Sequence, residues 1–508
     1  MTILIKKLPL LLLMVVFAAC GGGGEIDTAI DSAPDFVEIE ASAFVDAEID
    51  LFDDIEAVVL EIPPLNEYIV SLDVNPEERL IHGISRISFT NRSEQPLEQI
   101  KLRVYLNAFS EYHQPRPYPE ELAWRVYRPS VEPGFLTVEY ASVNNETLDF
   151  DMSGTVLTLF LTEAIEPNVT VQLLLQYSAY VPPLWHFMGG NDAAMWLGMF
   201  LPVLAVHDGA AWIINDFYPI GMPFLLETAN FDVTVTTPLE YNVVGTGHRT
   251  EEIIEDRGTK ITRFAANMSR DFAFAVLSPD FERANITTAN GVEINFYYHT
   301  ETSGARAEEV LELVDRSMAH FDYRFGIYPF GQINIVEADV LNSAVYFSQM
   351  IFANSFYLGS GDLMRLANSV GSQWTANVVG ADRINYPWLD HGLALFTQAE
   401  IFFDTPELLQ EYIERQHRVI SHRVGLSLSD GLGEYASVEP FEATHGRKAI
   451  VMLNALQQRM GEEDFWRFIN LYYQEFSFQI ATGGDFIRLA EEVYGGSLVD
   501  FFEAWFGQ

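Results

Sequence analysis

The residues able to do chemistry gather in one stretch, 361–403, which reads GDLMRLANSVGSQWTANVVGADRINYPWLDHGLALFTQAEIFF. Ser369 or Ser372, His391 and Asp390 are the types that serve as nucleophile, base and orienter. Their spacing works against a triad. Asp390 and His391 are neighbours at a helix start, so their side chains diverge, and neither serine sits in a Gly-x-Ser-x-Gly elbow. Asn368 and Ser372 are four apart and share a helix face. His417 and His422 are five apart, do not share a face well, and read as surface cations.

Two amphipathic helices joined by a turn would position these residues. Leu363, Leu366, Val370 and Trp374 fall on one side of the first, and the second opens at 388–392. The chain before this stretch has period two. Segments 68–70, 84–89, 100–106, 156–161 and 169–175, then 231–236, 241–244, 261–264, 272–276 and 292–298, predict two sets of antiparallel strands in a large β-sandwich. Beyond residue 299 the period turns helical: 305–325, a strand at 333–336, an apolar stretch at 345–352 read as a sheet edge, then helices over 406–424, 446–460, 463–476, 485–494 and 498–506. The expectation is an α+β chain, with a saddle-like sheet domain over 65–298 and a mixed, mostly helical domain over 299–508.

Charge and the N-terminus bound the function further. A formal net charge of −43 over 508 residues argues against nucleic-acid binding, which needs basic surface. Lys6 and Lys7 precede an apolar run, 8–17, followed by Ala18, Ala19 and Cys20. This pattern predicts a signal segment over 1–20. Cys20, the single cysteine, stands where a bacterial lipobox places the residue to be lipidated. The acidic segment 21–64 contains no Lys or Arg and reads as a solvated tether. An exported monomer, lipid-anchored to the outer face of a bacterial cell membrane, is expected.

Several segments resemble peptidase family M1, the zinc aminopeptidases of the gluzincin type. They are LRVYLNAFSEY at 102–112, WIINDFYPIGMPFLLETANFDVTVTTP at 212–238, SRDFAFAVLSPDF at 269–281 and FGIYPFGQINIVEADVL at 325–341. The resemblance implies a thermolysin-like second domain and a zinc site on the two helices. Gln373-Trp374 matches the end of the family's His-Glu-x-x-His-Gln-Trp motif. Asn368 and Ser372 then stand at the two histidine ligands, and Ser369 at the general-base glutamate. Trp388-Leu389-Asp390-His391-Gly392 matches Trp-Leu-Asn-Glu-Gly, with His391 at the third ligand. Tyr346 stands at the amine-binding glutamate, and His445 at the transition-state tyrosine.

A catalytic zinc needs about three good protein donors and an open position. Asn and Ser are poor donors, so no zinc is expected at these positions. The expected product is an inactive pseudo-peptidase on the membrane surface, whose cleft of Tyr346, Asn368, Ser372, His391 and His445 binds a peptide or protein. Two alternatives remain: a hydrolase with a non-standard site around His391, or a relocated metal site of His391, His445 and a nearby acid. The DFFEAWF segment near Gln508 resembles the end of the family's catalytic domain, so no helical-repeat domain is expected beyond it and the cleft should be open on one side.

Overall fold

The computed structural model describes residues 64–110, 118, 132–255, 258–423, 425 and 427–506, with short pieces at 2–3, 37–38 and 60–61. Cys20 and nearly all of the signal segment and the tether lie outside the described residues.

Alternating side chains build the first unit. Along Asn66–Asn75, Tyr68, Val70, Leu72 and Val74 are buried while their neighbours face solvent. This strand pairs antiparallel with Leu80–Thr90 and parallel with Ala229–Pro238. It sits inside an eight-stranded sheet, which two four-stranded sheets accompany. Phe135–Val143 and His248–Glu255 belong to the large sheet and were not anticipated. The first follows the same alternation and could have been read. The second is exposed throughout and carries no burial signal.

The second unit has a six-stranded sheet whose described order is Val37–Glu38, Phe281–Thr287, Glu293–His299, Gln332–Ala338, Met350–Asn354 and Ala344–Phe347. One expectation is corrected here. The strand anticipated at 292–298 as the last of the first domain pairs instead with Gln332–Ala338, in parallel, within this second sheet. Helix α1, Gly304–Arg324, makes the crossover between them. A period of two reveals a strand but not the sheet it joins. Ala344–Phe347 forms the edge, as the sequence suggested for 345–352.

Helix α2, Met364–Ser372, continues as a π-helical turn, Gln373–Val378. Helix α3 is His391–Phe402 and α4 is Pro406–Ile420, which Thr405 caps by accepting from the Leu408 N–H. A second π-helical turn, Glu442–Lys448, leads into α5, Ala449–Met460. Helices Glu462–Phe476, Gly483–Tyr494 and Val499–Phe506 complete the packing. Such turns insert one residue per bulge and re-aim the side chains that follow.

Two buried polar residues lock α2 to the sheets. Gln373 accepts from the Gln349 N–H at 3.0 Å and donates to the Phe347 carbonyl at 3.0 Å, fixing the hairpin that carries Tyr346. Gln349 needs this support because it holds φ at 59°. Arg270 is deeply buried and donates to four carbonyls: Leu226 at 3.2 Å, Asn377 at 3.0 Å, Val378 at 3.0 Å and Gln479 at 2.6 Å. It thereby joins the first unit to the end of the π-helical turn and to the segment after the Glu462–Phe476 helix. Burial, and the nearby Arg383 charge, lower its guanidinium to about 9.

Helix α2 lies against α1 with no room between them. Trp374 stacks on Phe321 at 5.5 Å, and a Cβ at Gly371 would come within 2.2 Å of the Phe321 ring. Phe321 is fully buried and cannot turn away. Gly371→Ala is expected to destabilise the fold by about 1–3 kcal/mol, measured by urea unfolding; an unchanged midpoint would show that the ring moves freely.

Candidate functional site

The elements around α2 and α3 enclose a cavity of about 550 Å³. Tyr346, Asn368, Ser369 and His391 line it. Ser372 and His445, expected in the same cleft, are fully buried and stand outside its lining. Ser372 sits at the last α-helical position of α2, facing the packed interior. The imidazole of His445 is closed in by Tyr435 and Phe441, with ring centroids at 5.3 Å from each. Burial, and after it the His391 charge, lower that imidazole to about 3, so it is neutral at physiological pH. His417 and His422 are exposed, as expected.

Asp390 and His391 diverge, and the structure shows what each meets. The short turn Pro387–Leu389 buries Trp388 and sets Asp390 ahead of α3. The Asp390 carboxylate accepts from the Tyr346 hydroxyl and from Thr375 Oγ1 at 3.1 Å, with Arg383 Nε 3.5 Å away. Burial, reinforced by the Asp390 charge, pushes the Tyr346 phenol well above its ordinary value and keeps it a donor. Arg383 also lies over the Tyr346 ring, 5.5 Å from its centroid. Tyr346 therefore ties the edge strand to the start of α3.

His391 turns the other way. Its Nε2 lies 3.2 Å from Glu442 Oε2 on the second π-helical turn. Its ring stacks on Phe441 at 5.7 Å. Gly392 permits the approach, since a Cβ there would meet Ala449 Cβ at 2.4 Å and the His445 carbonyl at 2.9 Å. Burial alone would lower His391, but the charge and hydrogen bond of Glu442 outweigh it and hold the imidazole above its ordinary 6.5. Burial would likewise raise Glu442, yet His391, Arg365 and Arg447 hold its carboxyl at about 2. The pair is a half-buried, charge-assisted contact. Sequence reasoning missed Glu442, Arg365, Arg383, Arg415 and Arg447, all of which line the cavity.

The Peptidase family M1 domain profile matches residues 367–505, the stretch that carries both site helices and both π-helical turns. Aminopeptidase N from Escherichia coli (strain K12) is 22% identical over 263 residues, covering 47% of this chain and 30% of the relative. Human aminopeptidase O is 20% identical over 247 residues, covering 42% of this chain and likewise 30% of the relative. The matched stretch thus spans under a third of either relative's length. The crystal structure of an M1 zinc metallopeptidase from Deinococcus radiodurans superposes with a TM-score of 0.64 at 16% identity, covering 87% of this chain and 92% of that one. A mutant of the Deinococcus enzyme bound to a Tyr-ser-ala substrate superposes at 0.65 and 16% identity, covering 87% and 93%. The α+β architecture of a sheet-rich domain followed by a helical one is shared with these structures.

The family is zinc-dependent, so the donors can be tested against zinc. The matched ligand positions offer Asn368, a fully buried Ser372 and a single imidazole, His391, whose Nε2 already faces Glu442. Ser369, at the base position, donates instead to the Arg365 carbonyl at 3.3 Å. This set does not fit a three-donor zinc site. Among the described residues no three His, Cys, Asp or Glu side chains are grouped so as to share a metal.

The pair predicts a pH dependence. The raised His391 contributes stability that is complete below its unfolded value of 6.5 and is lost as pH rises through its folded value. The lowered Glu442 contributes stability that is complete above 4.5 and is lost only as pH falls toward about 2. Glu442→Gln should therefore destabilise most between 4.5 and 6.5, by on the order of 1 kcal/mol, with the gap narrowing as pH rises through the raised His391 value. In the variant the His391 resonance should titrate below 6.5, because burial is no longer opposed by Glu442. Chemical denaturation across pH and histidine NMR titration check both; an unmoved His391 would show that Glu442 does not hold its proton.

Proposed function

We propose that this member of peptidase family M1 is a peptide- or protein-binding module that keeps the peptidase fold without the family's hydrolytic chemistry. The observation that carries this reading is the engagement of His391 with Glu442, while Asn368 and Ser372 hold the other two ligand positions. Without a bound metal nothing lowers the pKa of an attacking water. Without a carboxylate at position 369 no base stands ready to take its proton. The amine-binding position carries Tyr346, whose hydroxyl is committed to Asp390.

The cavity itself is of ligand size. A protein of the same fold holds a Tyr-ser-ala substrate, which supports a peptide as the ligand class. The alternative of a hydrolase built on His391 lacks a nucleophile: the imidazole has a carboxylate partner in Glu442, but the Ser369 hydroxyl is bonded within its own helix and Ser372 stands outside the cavity lining. We place the protein outside the cell, anchored through a lipidated Cys20 and held off the membrane by the acidic segment 21–64.

Purified protein without a His-tag should contain far less than one zinc per chain. It should show no turnover of aminoacyl fluorogenic or ester substrates, with or without added zinc. Stoichiometric zinc, with zinc-dependent turnover that disappears in His391→Ala, would overturn the proposal. Separately, Cys20→Ser is expected to move the protein from the detergent-soluble membrane fraction to the soluble fraction; retention in the membrane would show that another segment anchors it.

A further inference from the structure

The cavity carries charge of the opposite sign to the chain around it. The whole sequence has 72 Asp and Glu against 29 Lys and Arg. The described residues lining the cavity include Arg365, Arg383, Arg415 and Arg447, and only Asp390 and Glu442 as acids. Both acids are already answered, Asp390 by Tyr346 and Arg383, Glu442 by His391 with Arg365 and Arg447 beside it.

Four arginines against two acids leave the cavity with a positive excess, carried by Arg365, Arg415 and Arg447. They come from three elements, α2, α4 and the second π-helical turn, and all three are exposed to solvent. Arg447 donates to Gln416 Oε1, and Arg415 lies over the Tyr412 ring at 5.5 Å. Among the described residues none of the three is ion-paired with a carboxylate. All three line the same cavity as Tyr412 and Glu442. An added anion is attracted to this positive excess, and guanidinium donors fit its oxygens.

A second observation points to the same place. Asn368 lies one turn along α2 from Arg365, is 8% exposed, and lines the cavity. Its Nδ2 has no hydrogen-bond partner. A buried donor left without an acceptor costs about 1–3 kcal/mol, a cost that an oxygen-bearing ligand would remove. Another wall of the cavity is apolar and comes from the first unit: Phe217, Ile220, Met222 and Phe224.

We infer that the cavity takes a short apolar peptide bearing a carboxylate, with the carboxylate among Arg365, Arg415 and Arg447 and the apolar side chains against the 217–224 wall. This rests on the binding-module reading and names its ligand class. Bidentate pairing to planar guanidinium groups would favour a carboxylate over an uncharged amide of the same shape.

The test titrates the full chain in detergent with fluorescent Leu-Phe-Glu and Leu-Phe-Gln, each as free acid and as C-terminal amide, and with inorganic phosphate as competitor. The Leu-Phe-Glu amide should bind at least about tenfold more tightly than the Leu-Phe-Gln amide. Arg365→Gln/Arg415→Gln/Arg447→Gln should bring the two within about twofold while a cooperative thermal transition is retained, and Arg415→Gln alone, which removes no contact to Glu442 or Gln416, should already reduce the preference. Asn368→Ala should weaken the Glu peptide with less effect on the preference. Equal binding of the Glu and Gln peptides, a preference that survives the triple variant, or no binding of either peptide would each overturn the inference. So would phosphate displacing the acidic peptide with equal affinity, which would mark a free-anion site. Zinc-dependent cleavage of these peptides would instead overturn the binding-module reading, so the two failures are distinguishable.

Discussion

One buried guanidinium holds the site in place. Arg270 reaches the carbonyls of Leu226, Asn377, Val378 and Gln479, and each of these segments leads to a wall of the cavity or to the helices behind it. A charge at this depth is tolerated only when its donors are satisfied. The carbonyls at the end of the π-helical turn are in turn fixed by it, and that turn carries Thr375, which holds Asp390. Gly380 is part of the same arrangement, because a Cβ there would come within 2.3 Å of the Arg270 guanidinium carbon. Positions of Tyr346 and Asp390 thus trace back to a residue that touches neither of them.

The neighbours Asp390 and His391 divide the site between them. Asp390 faces inward and gathers Tyr346, Thr375 and Arg383, which makes it a structural centre. His391 faces Glu442 across the groove between α3 and the second π-helical turn. In a zinc enzyme of this fold the third ligand would be answered by the metal. Here the matched position is His391, and it pairs with Glu442 of the same protein.

The parts of this arrangement that were legible in the sequence are those with local signatures. Gln373-Trp374 and Trp388-Leu389 could be used as anchors because each is buried in the core and makes contacts that constrain its type. The helical face of Leu366, Val370 and Trp374 was visible in its period. Glu442 was not legible, because it lies 51 residues from His391 and nothing in local spacing links the two. The π-helical turns were also hidden, since periodicity is too coarse to show one extra residue per bulge. The burial of Ser372 and His445 had the same cause: sequence position relative to a motif does not reveal which side of a packed helix closes over. The three arginines lie on separate segments, α2, α4 and the turn before α5, and no local spacing links them.

The reversal of charge at the cavity has a kinetic side. An acidic ligand approaching a molecule of net charge −43 first meets a repulsive envelope, and only near the mouth does it meet the arginines. At physiological ionic strength the envelope fades beyond roughly 8 Å, so the local attraction is what an incoming peptide feels. In dilute salt the long-range repulsion dominates and the encounter slows. The arrangement behaves as a filter: anions are kept at a distance in general, and are admitted only when an apolar portion carries them the last few ångströms to the guanidinium groups.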